Sequence, residues 1–378
     1  MTESSIHIRL ATADDQASWN SYAGTHPDAT CYHLFPWKMA VEEAYEHKTY
    51  YLLAEKKAIQ EQDAARKKSN IAGIFPLIHI KHLLFGNGLI SLPFCDYGGI
   101  LADDRDVEKA LIQRAIETAR EINTTLIEIR QVNEIVQDFH HEIKDAEYYG
   151  KTDGFYLSKE REDKVRMSLV LPDSSEKLMK SFKSKLRSQI QKPIKEGLTG
   201  KIGGLELLDD FYEVFAVNMR DLGSPVHSKY FLKHVISYFD NWAKVGVVYH
   251  GKIPIAAGLV ISFRETLFIP WASSLRLYNS LNANMLLYWN FLEHACKAGM
   301  SIFDFGRSSH DAGTYKFKEQ WGARPSPIHW MTWSTKKTAD SGMDVSSLKN
   351  QMAINAWKRM PVNISTVIGP KLRKYIWL

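Results

Sequence analysis

Short apolar and alternating segments recur along this 378-residue chain, and the clearest pair lies in its second half. Trp242–His250 and Ile253–Arg264 are predicted strands, and the turn at Gly251 and Lys252 joins them into a β-hairpin. The same patterns predict further strands at Ser5–Ala11, Thr49–Glu55, Ile71–Ile80, Leu83–Leu92, Thr124–Ile129, Val165–Leu171, Thr266–Ala272, Ile302–Phe305 and Ile328–Trp333.

Helical spacing of apolar residues separates these strands. The best-defined helices are Asp106–Asn123, Leu281–Lys297 (ended by Gly299) and Ser174–Glu196, where Pro193 predicts a kink or an end. Additional helices are predicted at Lys38–Tyr45, Leu207–Asn218 and Ser228–Asp240. The order strand, hairpin, strand, helix, strand occurs in both halves, which predicts two copies of one α/β unit. The charged stretch Lys56–Asn70 is either a hairpin excursion or a mobile loop.

Length and composition favour a globular protein of two domains. A chain of 378 residues exceeds one ordinary core, and 45% hydrophobic with 24% charged residues is an ordinary composition. We expect domains at 1–163 and 164–378, with the last ~45 residues as candidates to pack back on the first domain. A net charge of +5 suits anionic ligands but does not call for DNA.

The cysteines and the apolar runs predict a cytoplasmic protein, with the inner face of the membrane as an alternative location. Cys31, Cys95 and Cys296 are far apart and form no CxxC pair, so buried thiols are expected. No apolar run reaches the roughly 18 residues of a membrane span, and the N-terminus lacks a signal-peptide core. The apolar and basic tail 362–378 either touches a membrane surface or, as we favour, docks on its own domain.

A polar loop between two apolar strands, within Ser301–Trp333, is the first candidate site. It carries Arg307, Lys316 and Lys318 behind a predicted glycine turn at Gly306, an arrangement that favours phosphate or carboxylate. Arg307 could grip such a group with two hydrogen bonds. The alternative is an exposed hairpin with solvated charges. For Asp304, inside the apolar strand, a structural hydrogen bond is favoured over a role as a base.

Two other segments have open interpretations. The loop Pro93–Gly99 contains two glycines after an aromatic residue, so it is either a close approach to a ligand or a tight turn. The basic face of the 174–196 helix either binds a polyanion such as tRNA or is simply solvated. Its cations are Lys177, Lys180, Lys183, Lys185, Arg187, Lys192 and Lys195.

Other chemistries lack the residues that they require. The join between the predicted strand at 266–272 and the helix at 281–297 has no glycine, which argues against a tight pyrophosphate cradle. Arg276, Asn282 and Asn284 could still bind a donor anion there. No metal is expected, because the histidines form no ligand set with carboxylates or cysteines. The histidines considered are His79, His82, His140, His141 and His310.

The segment FDFGRSSHDAGTYKFKEQWGARPSPIHW resembles the C-terminal signature of the FemAB-like branch of the GNAT acyltransferases, in particular the subgroup associated with exosortase and exopolysaccharide loci. TCYHLFPWKMAVEEAYEHKTYYLLAE and IAGIFPLIHIKHLLFGNGLISLPFCDYGGILAD resemble the first half of the same group. The resemblance implies an α/β fold of two GNAT-like domains in tandem, with mixed sheets and a cleft between them.

The resemblance also implies a reaction. FemAB-like proteins transfer an amino acid from aminoacyl-tRNA to an amine, so the co-substrate here would be aminoacyl-tRNA or acyl-CoA, with no permanently bound cofactor. Phe317 and Lys318 match the family's Phe-Lys pair, and Lys318 would stabilise negative charge on the donor. Lys316 and Trp321 are secondary candidates for substrate binding.

Trp37, Lys38, Asp96 and Tyr97 match positions where the family lines its acceptor cleft. The acceptor would be an amine or hydroxyl of a small-molecule or lipid-linked glycan precursor of the cell envelope, attacked directly and without a metal. A second hypothesis is a non-catalytic binding protein for an anionic glycan or lipid precursor in the same cleft.

Overall fold

A computed structural model describes residues 6–56, 71–83, 85–132, 148–152, 155–158, 164–310, 312–335 and 348–377. Within these ranges the chain forms two mixed β-sheets with helices packed on their faces. Three features discussed above lie outside the described residues: the charged stretch from 57 to 70, the expected boundary at 163, and the pair His140 and His141.

The first half alternates strands and helices. Its elements are β1 (Ile6–Leu10), α1 (Gln16–Thr25), α2 (Phe35–Tyr45), β2 (Lys48–Lys56), β3 (Ile71–His82), β4 (Gly86–Ile90), β5 (Leu101–Ala102), α3 (Arg105–Glu121), β6 (Leu126–Gln131), β7 (Tyr148–Thr152) and β8 (Phe155–Ser158). The start of α3 shows why the chain turns helical there, because the Asp104 carboxylate accepts the free backbone N–H groups of Asp106 and Val107.

The second half is richer in helix. Its elements are β9 (Lys164–Val170), α4 (Ser175–Ser181), α5 (Ser184–Lys195), β10 (Thr199–Gly203), α6 (Leu208–Leu222), α7 (Lys229–Phe239), β11 (Ala243–His250), β12 (Ile253–Phe263), β13 (Thr266–Ser274), α8 (Ala283–Lys297), β14 (Ile302–Ser309), α9 (Gly313–Gln320), β15 (Arg324–Pro327), β16 (His329–Ser334), α10 (Leu348–Lys358) and α11 (Val362–Arg373).

The strand orders show that the chain returns to its first sheet near the end. The first sheet runs β1-β2-β3-β4-β6-β16-β8-β7, with β5 also pairing β3, and the second runs β10-β11-β12-β13-β14-β9-β15. β16 therefore leaves the second half and pairs antiparallel with β6, so that Trp333 lies opposite Ile127.

Each sheet contains a pair of parallel strands that separate after three paired residues. In the first sheet Gly88–Ile90 pair with Leu126–Glu128, and in the second Thr266–Phe268 pair with Ile302–Asp304. Glu128 and Asp304 thus occupy equivalent positions, each the last paired residue before its strands diverge. The shared register, together with the element order, confirms the prediction of two similar α/β units.

Two local predictions were wrong in detail. The single helix predicted over 174–196 is two helices, because the backbone is extended at Phe182, whose ring packs between Trp289 and Trp321. The turn predicted at 306–309 is a continuation of β14, with a bulge between Asp304 and Arg307. Gly306 makes the bulge possible, since its φ of 72° is a conformation that other residues rarely adopt.

Two glycines of the second sheet allow α8 to pack closely against it. Gly246 on β11 and Gly258 on β12 are directly opposite in the sheet, and the phenyl ring of Phe291 from α8 lies against both. A Cβ added at Gly246 would come within 2.5 Å of the ring, so the glycines let the helix approach closely. Phe291 is fully buried, which makes this contact a major part of the second core.

Replacing this ring should therefore weaken the fold. We expect Phe291→Ala to lower the free energy of unfolding by about 3–5 kcal/mol, as buried Phe→Ala changes do. Ile253→Ala, at an exposed position in the same sheet, should change it by less than about 0.5 kcal/mol. Urea denaturation of the three proteins measures both values, and equal stabilities would contradict the packing described here.

Candidate active site

The diverging strands of the second sheet enclose a buried carboxylate. Asp304 on β14 is 1% exposed, and three donors converge on it. The hydroxyl of Tyr97 and the Nε of Arg166 (2.6 Å) donate to Oδ2, and the backbone N–H of Gly306 donates to Oδ1 at 2.7 Å. Burial and the neighbouring carboxylate raise the pKa of Tyr97 well above its usual value, so its hydroxyl stays protonated and donates. Asp304 is a structural acceptor, as the sequence indicated.

A second carboxylate from the first half holds the bulge of β14. Asp96 accepts a hydrogen bond from the backbone N–H of Arg307 at 2.9 Å, and its other oxygen lies 3.6 Å from Arg307 Nε. A Cβ at Gly306 would come within 2.3 Å of the Asp96 carboxylate, so the bulge needs glycine for space as well as for conformation. The loop Pro93–Gly99 therefore reaches across to the second half.

That loop is conformationally strained. Leu92 and Phe94 adopt positive φ values of 54° and 69°, which cost energy in residues that carry a Cβ. The surrounding aromatic rings hold Phe94 in place, since it packs edge-on against Tyr45 and His227. Strain of this kind concentrates at functional sites, because a packed environment can enforce it where geometry matters.

Lys318 supports the same strand from the other side. Its Nζ donates to the carbonyl of Arg307 at 2.7 Å, and the residue is 8% exposed. Burial lowers the pKa of Lys318 to about 8, although Asp96 and Asp304 oppose the shift. The backbone of Arg307 is thus held at its N–H by Asp96 and at its carbonyl by Lys318.

A cavity of about 160 Å³ lies where the two halves meet. It is lined by Tyr32, Phe94, Cys95 and Asp96 from the first half and by Pro270, Trp271, Arg307 and Arg373 from the second. Two arginines in one small, partly aromatic cavity attract an anion strongly.

Both arginines are positioned by neighbours outside the cavity. The guanidinium of Arg307 lies 4.8 Å from the ring centre of Trp330, and Arg373 donates from Nε to Nε2 of His227 at 3.1 Å. Burial lowers the pKa of both arginines, and Arg373, with a pKa of about 10, remains charged near neutrality. Burial also holds His227 neutral, and its Nδ1 meets the hydroxyl of Tyr45 at 2.8 Å.

Cys95 also lines this cavity but is not prepared for nucleophilic chemistry. Burial raises the pKa of its thiol far above the usual value, and the thiol donates to the carbonyl of Leu92 at 3.0 Å. A protonated, hydrogen-bonded thiol is a poor nucleophile.

Among the predicted site residues, the structure brings together Arg307, Asp96, Tyr97 and Lys318. Trp37 is fully buried behind the cavity, where it stacks on Trp271. Lys38 points elsewhere, because its Nζ pairs with Glu42 at 2.7 Å.

The remaining predicted residues lie away from the cavity. Trp321 belongs to the second core, and Phe317 packs on Tyr288 with its edge toward the ring, while Lys316 is exposed. The predicted donor residues Arg276, Asn282 and Asn284 lie around the join between β13 and α8, and none of them lines the cavity.

Sequence reasoning missed Arg373. The basic cluster of the tail was a signal for a cation there, but nothing local distinguishes Arg373 from Lys371 or Lys374. The distinction arises only because α11 packs against Val226 and directs Arg373 inward.

The described residues contain neither a metal-binding cluster nor a membrane-spanning helix. No group of His, Cys, Asp and Glu among them could hold a metal ion. His79 instead meets Asn87, and His310 packs on Tyr315. None of the described helices is long and apolar enough to cross a membrane.

Comparison with known proteins identifies the fold. Residues 180–319, which include the β14 bulge and Lys318, match the family described as an acetyltransferase (GNAT) domain. No curated protein sequence matches the chain significantly.

Solved structures extend the similarity to the whole chain. The crystal structure of FemX is similar with a TM-score of 0.63 and 13% identity, over 86% of this chain and 96% of that one. L-PGS from Bacillus licheniformis gives a TM-score of 0.51 and 10% identity, over 94% and 97% of the two chains. A tandem GNAT protein from the clavulanic acid biosynthesis pathway gives 0.51 and 10%, over 88% and 99%. Residues 180–319 therefore form a GNAT acetyltransferase domain, and the chain as a whole has the fold seen in FemX and in the tandem GNAT protein.

Proposed function

We propose that this protein transfers an aminoacyl or acyl group to an amine or hydroxyl of a cell-envelope or exopolysaccharide precursor. The observation that carries the proposal is the cavity between the two halves, which places Arg307, Arg373 and Asp96 around one small volume. The GNAT match and the FemX-like and L-PGS-like fold support a transferase, and they direct attention to envelope substrates.

The size of the cavity limits what it can hold. A volume of about 160 Å³ is close to that of an engineered cavity that binds benzene, ~150 Å³. It can accept a reacting acyl group together with a carboxylate or phosphate, but not a whole coenzyme or nucleotide. The larger parts of the donor and acceptor must therefore lie on the surfaces that flank the junction.

The residues around the cavity suggest a division of labour. Arg307 and Arg373 would bind an anionic group and stabilise the oxyanion that forms as the acceptor attacks the acyl carbonyl. Asp96 is the carboxylate among the lining residues, so it would accept the hydrogen bond of the attacking amine or hydroxyl and then its proton. The bond between the acyl carbon and the donor would then break, and the departing tRNA hydroxyl or thiol would take up that proton. Lys318 would act indirectly, because it binds the carbonyl of Arg307 rather than lining the cavity.

The donor is aminoacyl-tRNA or an acyl thioester, and one experiment separates these from the binding-protein alternative. The protein is incubated with charged tRNA or with acyl-CoA, together with UDP-amino sugars and lipid-linked precursors, and products are identified by mass spectrometry. A covalently modified acceptor supports transfer. Tight binding of an acceptor with no product from either donor would instead favour a non-catalytic binding protein.

Replacement of Arg307 should abolish most of the activity. We expect Arg307→Ala to lower kcat/KM by at least ~100-fold, because a preorganised cation at the oxyanion is lost. Arg307→Lys should recover part of this loss, since it keeps the charge but not the two-pronged geometry. Arg324→Ala, an exposed position on β15, is the matched control and should remain within about twofold of wild type. Steady-state kinetics provide the measurement, and wild-type turnover by Arg307→Ala would refute the assignment.

The lowered pKa of Lys318 predicts a dependence of stability on pH. Between about pH 8, its folded value, and 10.5, its ordinary value, the unfolded chain holds a proton that the folded chain has lost. Raising the pH through this range therefore stabilises the folded protein relative to a variant without the amine. The free energy of unfolding of wild type, relative to that of Lys318→Met, should increase by about 2 kcal/mol from pH 8 to pH 10.

Urea denaturation of both proteins at the two pH values measures this shift. The variant also removes the hydrogen bond to Arg307, but that loss contributes about equally at both pH values and cancels in the comparison. A pH-independent difference would show that Lys318 keeps an ordinary pKa.

A further inference from the structure

Helix α11 exposes three consecutive large apolar residues of one face. Ser365 and Gly369 face the protein, and a Cβ at Gly369 would lie 3.0 Å from the backbone nitrogen of Val226. Three large apolar residues lie on the solvent side, where Ile364 is 44% exposed, Val367 63% and Ile368 38%, whereas Val362 packs against the core. A helix on the surface of a water-soluble protein normally buries its apolar face and exposes its polar face.

The exposed residues form one continuous strip. Ile364, Val367, Ile368 and Lys371 follow the spacing i, i+3, i+4 and i+7, which places them on a single helical face. We call these four residues the outer ridge. Lys371 is exposed at its C-terminal end, so the strip combines an apolar surface with a cation.

The chain segment that carries the outer ridge has only positive charges. Residues 345–378 include six lysines and arginines but no aspartate or glutamate, whereas the whole chain has a net charge of only +5. Lys358 and Arg359, just before α11, are also exposed. An apolar helical face flanked by cations and free of acids is the composition of helices that lie in the headgroup region of anionic bilayers.

We propose that the outer ridge docks this protein onto an anionic phospholipid surface. The apolar side chains would enter the boundary between headgroups and acyl chains, while Lys371, Lys358 and Arg359 would contact lipid phosphates. A second copy of the chain fits the ridge less well, because a two-fold contact would bring together the same segment of both copies, which carries cations and no acid. Docking does not depend on the acyl-transfer proposal.

Docking would also place the cavity close to the lipid. Arg373, which lines the cavity, is the last residue of α11, two positions after Lys371 of the outer ridge. One helix of 12 residues, about 18 Å long, therefore carries the membrane contact on one face and reaches the cavity from its end.

Vesicle co-sedimentation of the full chain tests this proposal. The probes are vesicles of phosphatidylcholine alone and of phosphatidylcholine mixed with phosphatidylglycerol, each at low and high salt. We expect wild type to bind the phosphatidylglycerol vesicles, with binding reduced by salt, and Val367→Ser/Ile368→Ser and Lys371→Glu each to bind at least ~10-fold more weakly. Leu205→Ser/Ile253→Ser, two exposed apolar positions elsewhere, is the matched control and should bind like wild type.

Three outcomes would overturn the proposal: no binding of wild type to phosphatidylglycerol vesicles, equal binding by the ridge variants, or equal loss in the control variant. Light scattering on the same proteins provides a further test. If wild type is a dimer that the ridge variants convert to a monomer, the ridge is an interface between copies, and that result also overturns docking on lipid. The altered side chains are exposed, so circular dichroism melts should show that all the variants fold.

Discussion

The buried carboxylate of Asp304 is the interaction on which the arrangement of the two halves depends. It lies where two strands separate, in a place that water cannot reach, and its charge is balanced by Arg166 and by the hydroxyl of Tyr97 from the other half. Tyr97 is the partner that comes from the other half, and loss of a hydrogen bond to a buried charged group costs about 1–3 kcal/mol or more. Separation of the halves would therefore leave this carboxylate without one of its three donors at the centre of the second sheet.

The first sheet contains a corresponding buried carboxylate, and one of its partners comes from the second half. Glu128, the counterpart of Asp304, pairs with Arg130 and accepts a hydrogen bond from the indole of Trp377, which comes from the end of the chain. Arg130 also donates to the carbonyl of Trp377 at 3.1 Å. In each half, the buried carboxylate between the diverging strands thus accepts a hydrogen bond from an aromatic side chain of the other half. The space left for ligands is the junction between them, which explains why the lining residues come from both halves.

The sequence predicted much of the architecture and part of the site. Hydrophobic periodicity located the strands and long helices, since these depend on local spacing, and the resemblance supplied the tandem fold. Arg307 and Asp96 were each identified as candidates, but their contact depends on a loop of one half reaching a bulge of the other. Trp37 and Trp321 were expected in a substrate cleft, although both are core residues, because an aromatic side chain suits either environment and sequence spacing does not decide between them. Arg373 was missed because its inward direction is set by how α11 packs.

The return of β16 to the first sheet has a consequence for how the protein is made. During synthesis, the edges of β6 and β8 have no hydrogen-bonding partner until residues 329–334 emerge, long after the rest of that sheet. The nascent first half must therefore avoid pairing with neighbouring chains while the ribosome produces the entire second sheet. A first half made without residues 329–334 would keep this edge of β6 open, so completion of the first sheet depends on a strand that lies beyond the whole of the second.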